Sequence, residues 1–79
     1  MNAAAALRMF DRITFDPEMM GGRACIRGTR ITVGHVVGLV AEGASQREIL
    51  TDFPFLEAED VHQALEYAAW LAREEVFSA

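Results

Sequence analysis

The chain has 79 residues, 52% of them hydrophobic, and a formal charge of −5 with no lysine. That length allows one domain, and a domain so small buries only about 60% of the surface its unfolded chain exposes, so a monomer is marginal. A single cysteine excludes an internal disulfide and the two separated histidines give no zinc spacing, which leaves self-association or a standing partner to supply stability.

Charge divides the chain in two. Residues 1–34 carry five arginines against three carboxylates, and residues 35–79 carry two arginines against nine carboxylates. The first part is basic and the second strongly acidic. No apolar run approaches the ~20 residues of a membrane helix. The opening "MNAAAALRMFDR" lacks a basic start, a long apolar core and a cleavage site. A cytoplasmic setting with Cys25 reduced is expected.

In chain order, residues 1–12 read as a tail and 13–79 as a single domain, with a β segment over 13–32 and a three-helix core over 33–79. "RITFDP" alternates like a short strand through Ile13 and Phe15, stopped by Pro17, and "MMGG" is a turn. "RACIRGTRIT" reads as a two-stranded hairpin with Gly28-Thr29 at its tip, since glycine suits the first central position of a type II′ turn. That register sets Ile26 opposite Ile31 and Arg27 opposite Arg30, with Arg23 on the face of Arg27. Like charges directly opposite are unfavourable, so a compensating acidic group is expected.

From Thr32 the period changes to that of a helix, with Val33, Val36, Val37 and Val40 on one side and His35 and Glu42 on the other. Thr32 is the expected N-cap and Gly43 the stop. "SQRE" at Ser45–Glu48 is a capping box opening a short helix that buries Ile49, Leu50 and Phe53 before Pro54. A third helix is expected from Glu57 to Val76, roughly 30 Å long. Its expected inner face is Val61, Leu65, Ala68 and Ala72. Tyr67 and Trp70 then point away, and with Leu71 they form the expected surface for a partner or a second subunit of a homodimer. The alternative is that Leu7, Met9 and Phe10 fold back over Trp70. The class is mainly α, and the last two helices, joined by the tight "DFPFLE" turn, are in helix-turn-helix order.

Reaction chemistry finds little support. Without lysine there is no Walker A loop, and G-x-G-x-x-G is absent, so the glycines are turn residues. Cys25 beside Ile26 reads as a small buried thiol. His35 and His62 lie on helix surfaces without an orienting acid, and Ser45 is a cap. Glu57, Glu59 and Asp60 form an acidic first turn that the helix dipole stabilises. No catalytic residue, metal or cofactor is expected.

A helix-turn-helix protein places the start of its second motif helix in the major groove. Here that start is "LEAEDVHQ", and its three carboxylates repel a duplex charged once per ~1.7 Å. Arg47, His62 and Gln63 are the residues there that could contact DNA. The basic arm of Arg8, Arg12, Arg23, Arg27 and Arg30 is the better electrostatic candidate. Its competing role is pairing within the chain, to Asp16, Glu18 or the acidic helices, and Arg30 beside the core residue Ile31 is first in line for that.

At "GGRACIRGTRITV" the chain resembles the domain-of-unknown-function family numbered 433. Asp16-Pro17, Gly21-Gly22, Ile26, Gly28-Thr29-Arg30-Ile31, Gly43-Ala44-Ser45, Phe53-Pro54, Leu56 and the helix "EDVHQALEYA" carry the resemblance, over about Ile13 to Ala72. The departures are Arg23 for Lys, Ala24 for Pro, Thr32 for a frequent Pro, and Glu57 for a Ser/Thr cap. The resemblance implies a homeodomain-like fold with an N-terminal β segment. It also implies an antitoxin-type protein that neutralises a PIN-like ribonuclease toxin and represses its own operon DNA. Arg23, Arg27 and Arg30 are then the arginines expected to meet the partner's carboxylates. A dimeric helix-turn-helix regulator without a toxin partner is the rival expectation.

Overall fold

The computed structural model describes residues 9–76. Leu7 and Arg8, singled out above, lie outside the described residues. Two strands, β1 (Ile13–Phe15) and β2 (Ala24–Ile26), precede three helices, α1 (Val33–Ala41), α2 (Gln46–Asp52) and α3 (Ala58–Val76). The chain is mainly helical with a short two-stranded antiparallel sheet.

The strand pairing corrects the expected hairpin. β2 pairs with β1, setting Ile13 opposite Ile26, Thr14 opposite Cys25 and Phe15 opposite Ala24. The expected partner segment contributes one bridge, Cys25 with Thr32, and the Ile26 amide donates to the Ile31 carbonyl at 2.9 Å. The Ile26/Ile31 register therefore holds while the second ladder does not extend. The reason lies in the turn. Gly28 takes the left-handed φ of +71° as third residue of a turn closed from the Thr29 amide to the Ile26 carbonyl at 3.0 Å. The Thr29 hydroxyl also donates to that carbonyl and accepts from the Ile31 amide. The Arg27 amide turns instead to the Arg12 carbonyl, at 2.9 Å. Arg27 and Arg30 thus escape the like-charge ladder.

The helix ends follow the sequence closely. The Thr32 hydroxyl accepts from the His35 amide at 3.0 Å, satisfying one orphan donor of the first turn. At the other end Gly43 adopts a φ of +102°. The Gly43 amide donates to the Val40 carbonyl, and the Ala44 amide to the Leu39 carbonyl, the two bonds of a Schellman motif. Ser45 and Glu48 form the full capping box of α2, and Phe53 closes that helix ahead of Pro54.

The core joins all these elements: Phe10, Ile13, Ile26, Val33, Val36, Ile49, Leu56, Val61, Ala64 and Tyr67, with Cys25 also buried. Two placements differ from expectation. Tyr67 belongs to the inner face of α3, with Asp60, Val61, Gln63 and Ala64, whereas Ala72 is exposed. Phe10, grouped with the tail but also named as the alternative cover for Trp70, takes that second role and is 7% exposed. It meets Tyr67 edge-on at 5.4 Å and Trp70 at 5.6 Å between ring centroids. Phe10 covers part of α3 that the periodicity assigned to a partner, and so rotates the buried stripe toward Tyr67.

Candidate docking surface

The basic arm separates into a structural half and a free half. Arg12 is structural. Its Nη1 lies 2.6 Å from Glu57 and 3.0 Å from Asp60, both at the start of α3. Its backbone amide donates to Gln63 Oε1 at 2.6 Å, and Gln63 Nε2 donates to Asp11 Oδ1 at 3.0 Å. The hydrogen bond to Glu57, then that to Asp60, raise the Arg12 guanidinium above its ordinary value. Arg27 is exposed and approaches Glu57 at 3.5 Å, the acidic compensation the sequence demanded. Arg23 and Arg30 are exposed and make no ion pair among the described residues.

These two free arginines lie on either side of Thr32, each at an apolar depression. Arg23 is at the rim of a groove of about 520 Å³ between β1–β2, α1 and α3, walled chiefly by Phe15, Val33, Val37, Tyr67 and Leu71. Arg30 shares a smaller depression of about 250 Å³ with Met20, Ile31, His35 and Phe53. Phe53 sits edge-on to His35 at 5.9 Å and to Phe55 at 6.3 Å. Phe55 is 62% exposed, and Met20 is also exposed. Met20 holds a φ of +53°, a left-handed conformation that costs a non-glycine residue on the order of 1 kcal/mol and recurs at ligand clamps and switch regions. Sequence reasoning missed Met20 and Phe55. The "MMGG" run was a legible turn signal, but which residue would take the strained φ was not.

The remaining candidates scatter. Trp70 is half-buried against Phe10, and Leu71 is exposed at the groove's lip. Of the three candidate DNA contacts, Arg47 is exposed on α2, and His62 is exposed on α3 with Nε2 3.5 Å from Glu66. Gln63 is buried and bonded to Asp11 and Arg12. The three do not form one reading face, because Gln63 is committed to holding the leading segment.

The Cys25 thiol is buried; desolvation, then the nearby Asp16 charge, push its pKa up. A thiol shifted this way is a poor nucleophile at neutral pH. Among the described residues no three of His, Cys, Asp and Glu gather as a metal site, and no helix is long and apolar enough to cross a membrane. The groove and the depression beside it offer shape, apolar area and the guanidiniums of Arg23 and Arg30.

Residues 13–68 match the family described as "Protein of unknown function (DUF433)". The chain belongs to the DUF433 family. It is 39% identical over 56 residues to "Uncharacterized protein y4eO" of Sinorhizobium fredii (strain NBRC 101917 / NGR234), a match covering 71% of this chain and 25% of that protein. This chain thus spans about a quarter of that relative's length. The crystal structure of a DUF433 member from Anabaena variabilis ATCC 29413 superposes with a TM-score of 0.74 at 34% identity, covering 91% of this chain and 72% of the other.

Proposed function

We propose that this DUF433 chain is a non-enzymatic, antitoxin-like binding protein that docks on a PIN-like ribonuclease and neutralises it, with repression of its own operon as a linked role. In this reading the three helices form a homeodomain-like scaffold, and the chain acts in the cytoplasm. One observation carries the proposal: the Arg30 guanidinium, without an ionic partner among the described residues, shares a depression with exposed Met20 and half-buried Phe53, whose ring meets that of exposed Phe55 edge-on. Arginine, methionine and aromatic residues are the types enriched at protein interfaces. PIN-type nucleases hold metal with clustered carboxylates, and a guanidinium meets carboxylates through paired, charge-assisted bonds. Arg23 lies on the far side of Thr32 and supplies a second such group. Arg27, weakly held by Glu57, can add a third.

The test uses the purified chain and the product of its neighbouring gene. Titration calorimetry should show tight binding, with RNA cleavage suppressed in the complex. Arg30→Glu should weaken binding at least about 30-fold, the loss expected of an interface hot spot, and restore cleavage. A wild-type chain that neither binds the nuclease nor slows it removes the proposal. Salt-dependent retardation of the chain's own promoter DNA, with no effect on any nuclease, would favour the rival dimeric regulator.

A further inference from the structure

Beyond a nuclease partner, we infer that this chain pairs with a second copy of itself through the groove between α1 and α3, each copy setting its Leu71 into the other's groove. Part of α3 carries an apolar stripe that the chain does not finish covering. Val61, Leu65, Ala68 and Ala72 recur at helical spacing as an apolar flank of α3 beside its buried stripe. Along α3 Val61 is buried, Leu65 and Ala68 are half-buried and Ala72 is exposed. The same end of the helix exposes Leu71 by 45%. The pattern continues past the point where the chain's own core stops.

The uncovered end lies beside an apolar groove with Leu71 at its lip. One surface therefore supplies both a partly exposed leucine and a cavity, as a self-complementary two-fold interface requires. An axis beside Ala68 and Ala72 would bring the two α3 helices together over small residues. Gly34 forms part of the groove's wall, where a Cβ would meet nothing nearer than Thr32 Oγ1 at 4.0 Å. Glycine weakens a helix interior relative to alanine, and nothing in this chain's own packing asks for it. An incoming leucine would use the space.

Charge selects the same surface. With a net charge of −5, two copies repel over most of their area. Among the described residues no carboxylate lines this groove, and the one charged residue there, Arg23, has no ionic partner. A second, acidic copy is best tolerated there. The expected outer surface of Tyr67 and Trp70 serves less well, since Phe10 already packs on both rings.

Sedimentation equilibrium of the whole chain, from about 5 to about 200 µM to span micromolar affinities, should report twice the 8.7 kDa chain mass. Leu71→Glu should lower the dimer association constant at least about 30-fold. Gly34→Leu, which fills the groove with a better helix former, should also give a monomer, and it decides the matter if circular dichroism shows Leu71→Glu unfolded. Phe55→Ser, on the other patch, should remain a dimer. A wild-type monomer at the highest concentration, a dimeric Gly34→Leu or a monomeric Phe55→Ser would each overturn the inference. Nuclease binding is measured separately through Arg30→Glu, which lies outside this groove, so failure of the dimer leaves that reading standing.

Discussion

Arg12 binds two carboxylates that differ little in sequence and greatly in consequence. Glu57 makes the shorter contact, 2.6 Å against 3.0 Å, but its side chain is 63% exposed whereas that of Asp60 is 6% exposed. Water and salt screen the first pair, and exposed pairs contribute about 0–1 kcal/mol. Asp60 has a second duty. Its Oδ2 accepts from the Glu57 amide at 2.8 Å, the half of a capping box that the third helical residue supplies, which is present although the Ser/Thr half is missing. Removing Asp60 therefore frees a helix-end donor and takes from Arg12 its buried partner. Asp60→Ala should cost about 2 kcal/mol, from a lost cap and a lost charged hydrogen bond. Glu57→Ala should cost less than about 0.5 kcal/mol. Urea denaturation of both variants checks this; a larger loss from Glu57→Ala would mean that contact length rather than burial governs the cluster.

At the level of elements, the parts read most accurately are those fixed by neighbours in sequence. The ends of α1 and both ends of α2 depend on Thr32, Gly43, Ser45, Glu48 and Pro54, each acting within four residues of its target. The strand pairing was not readable in that way. β1 and β2 are three residues each, too short to show a period, and what joins them is the burial of Ile13 against Ile26 across thirteen positions. The face of α3 was misjudged for a related reason. Its sequence is apolar nearly all round through "YAAWLA", so the buried side is chosen by Phe10 and Gln63's partners, which lie some fifty residues away. The local capping box also yields a pH signature. The bond from the Ser45 amide, then that from its hydroxyl, hold the Glu48 carboxyl below its ordinary value. With the folded value depressed, the contribution is full above the unfolded value and fades as pH falls through the folded one. Glu48→Gln keeps the acceptor and loses the charge. Its melting temperature should fall below wild type at pH 7 and converge with it toward about pH 3, below the ordinary carboxylate range. A gap constant across that range would show that charge is irrelevant to the cap.

For the whole molecule, the decisive quantity is how little stability a 79-residue chain can spare. At about 0.05–0.15 kcal/mol per residue the total is roughly 4–12 kcal/mol. Among the described residues ten buried side chains make up the apolar cluster, and one of them, Phe10, comes from the segment the sequence assigned to a tail. An Ala-rich lead gives no periodicity to locate a core residue, so the sequence offered Phe10 over Trp70 only as the alternative to a partner, and the three-dimensional meeting with Tyr67 and Trp70 selects it. That meeting is reinforced from the backbone, since the Phe10 carbonyl accepts from the Ile13 amide at 3.1 Å and Asp11 is held by Gln63. The leading segment is thus a structural strap over α3. Phe10→Ala should remove about 3 kcal/mol, the low end for a buried phenylalanine, and include the loss of two edge-to-face contacts. In so small a domain that is a quarter or more of the total, and the urea midpoint should drop accordingly. Phe10→Leu, which keeps apolar volume, should lose about half as much. If Phe10→Ala lost under about 1 kcal/mol, the strap would be dispensable. Tyr67 and Trp70 would then be open to an outside partner, as the sequence alone implied.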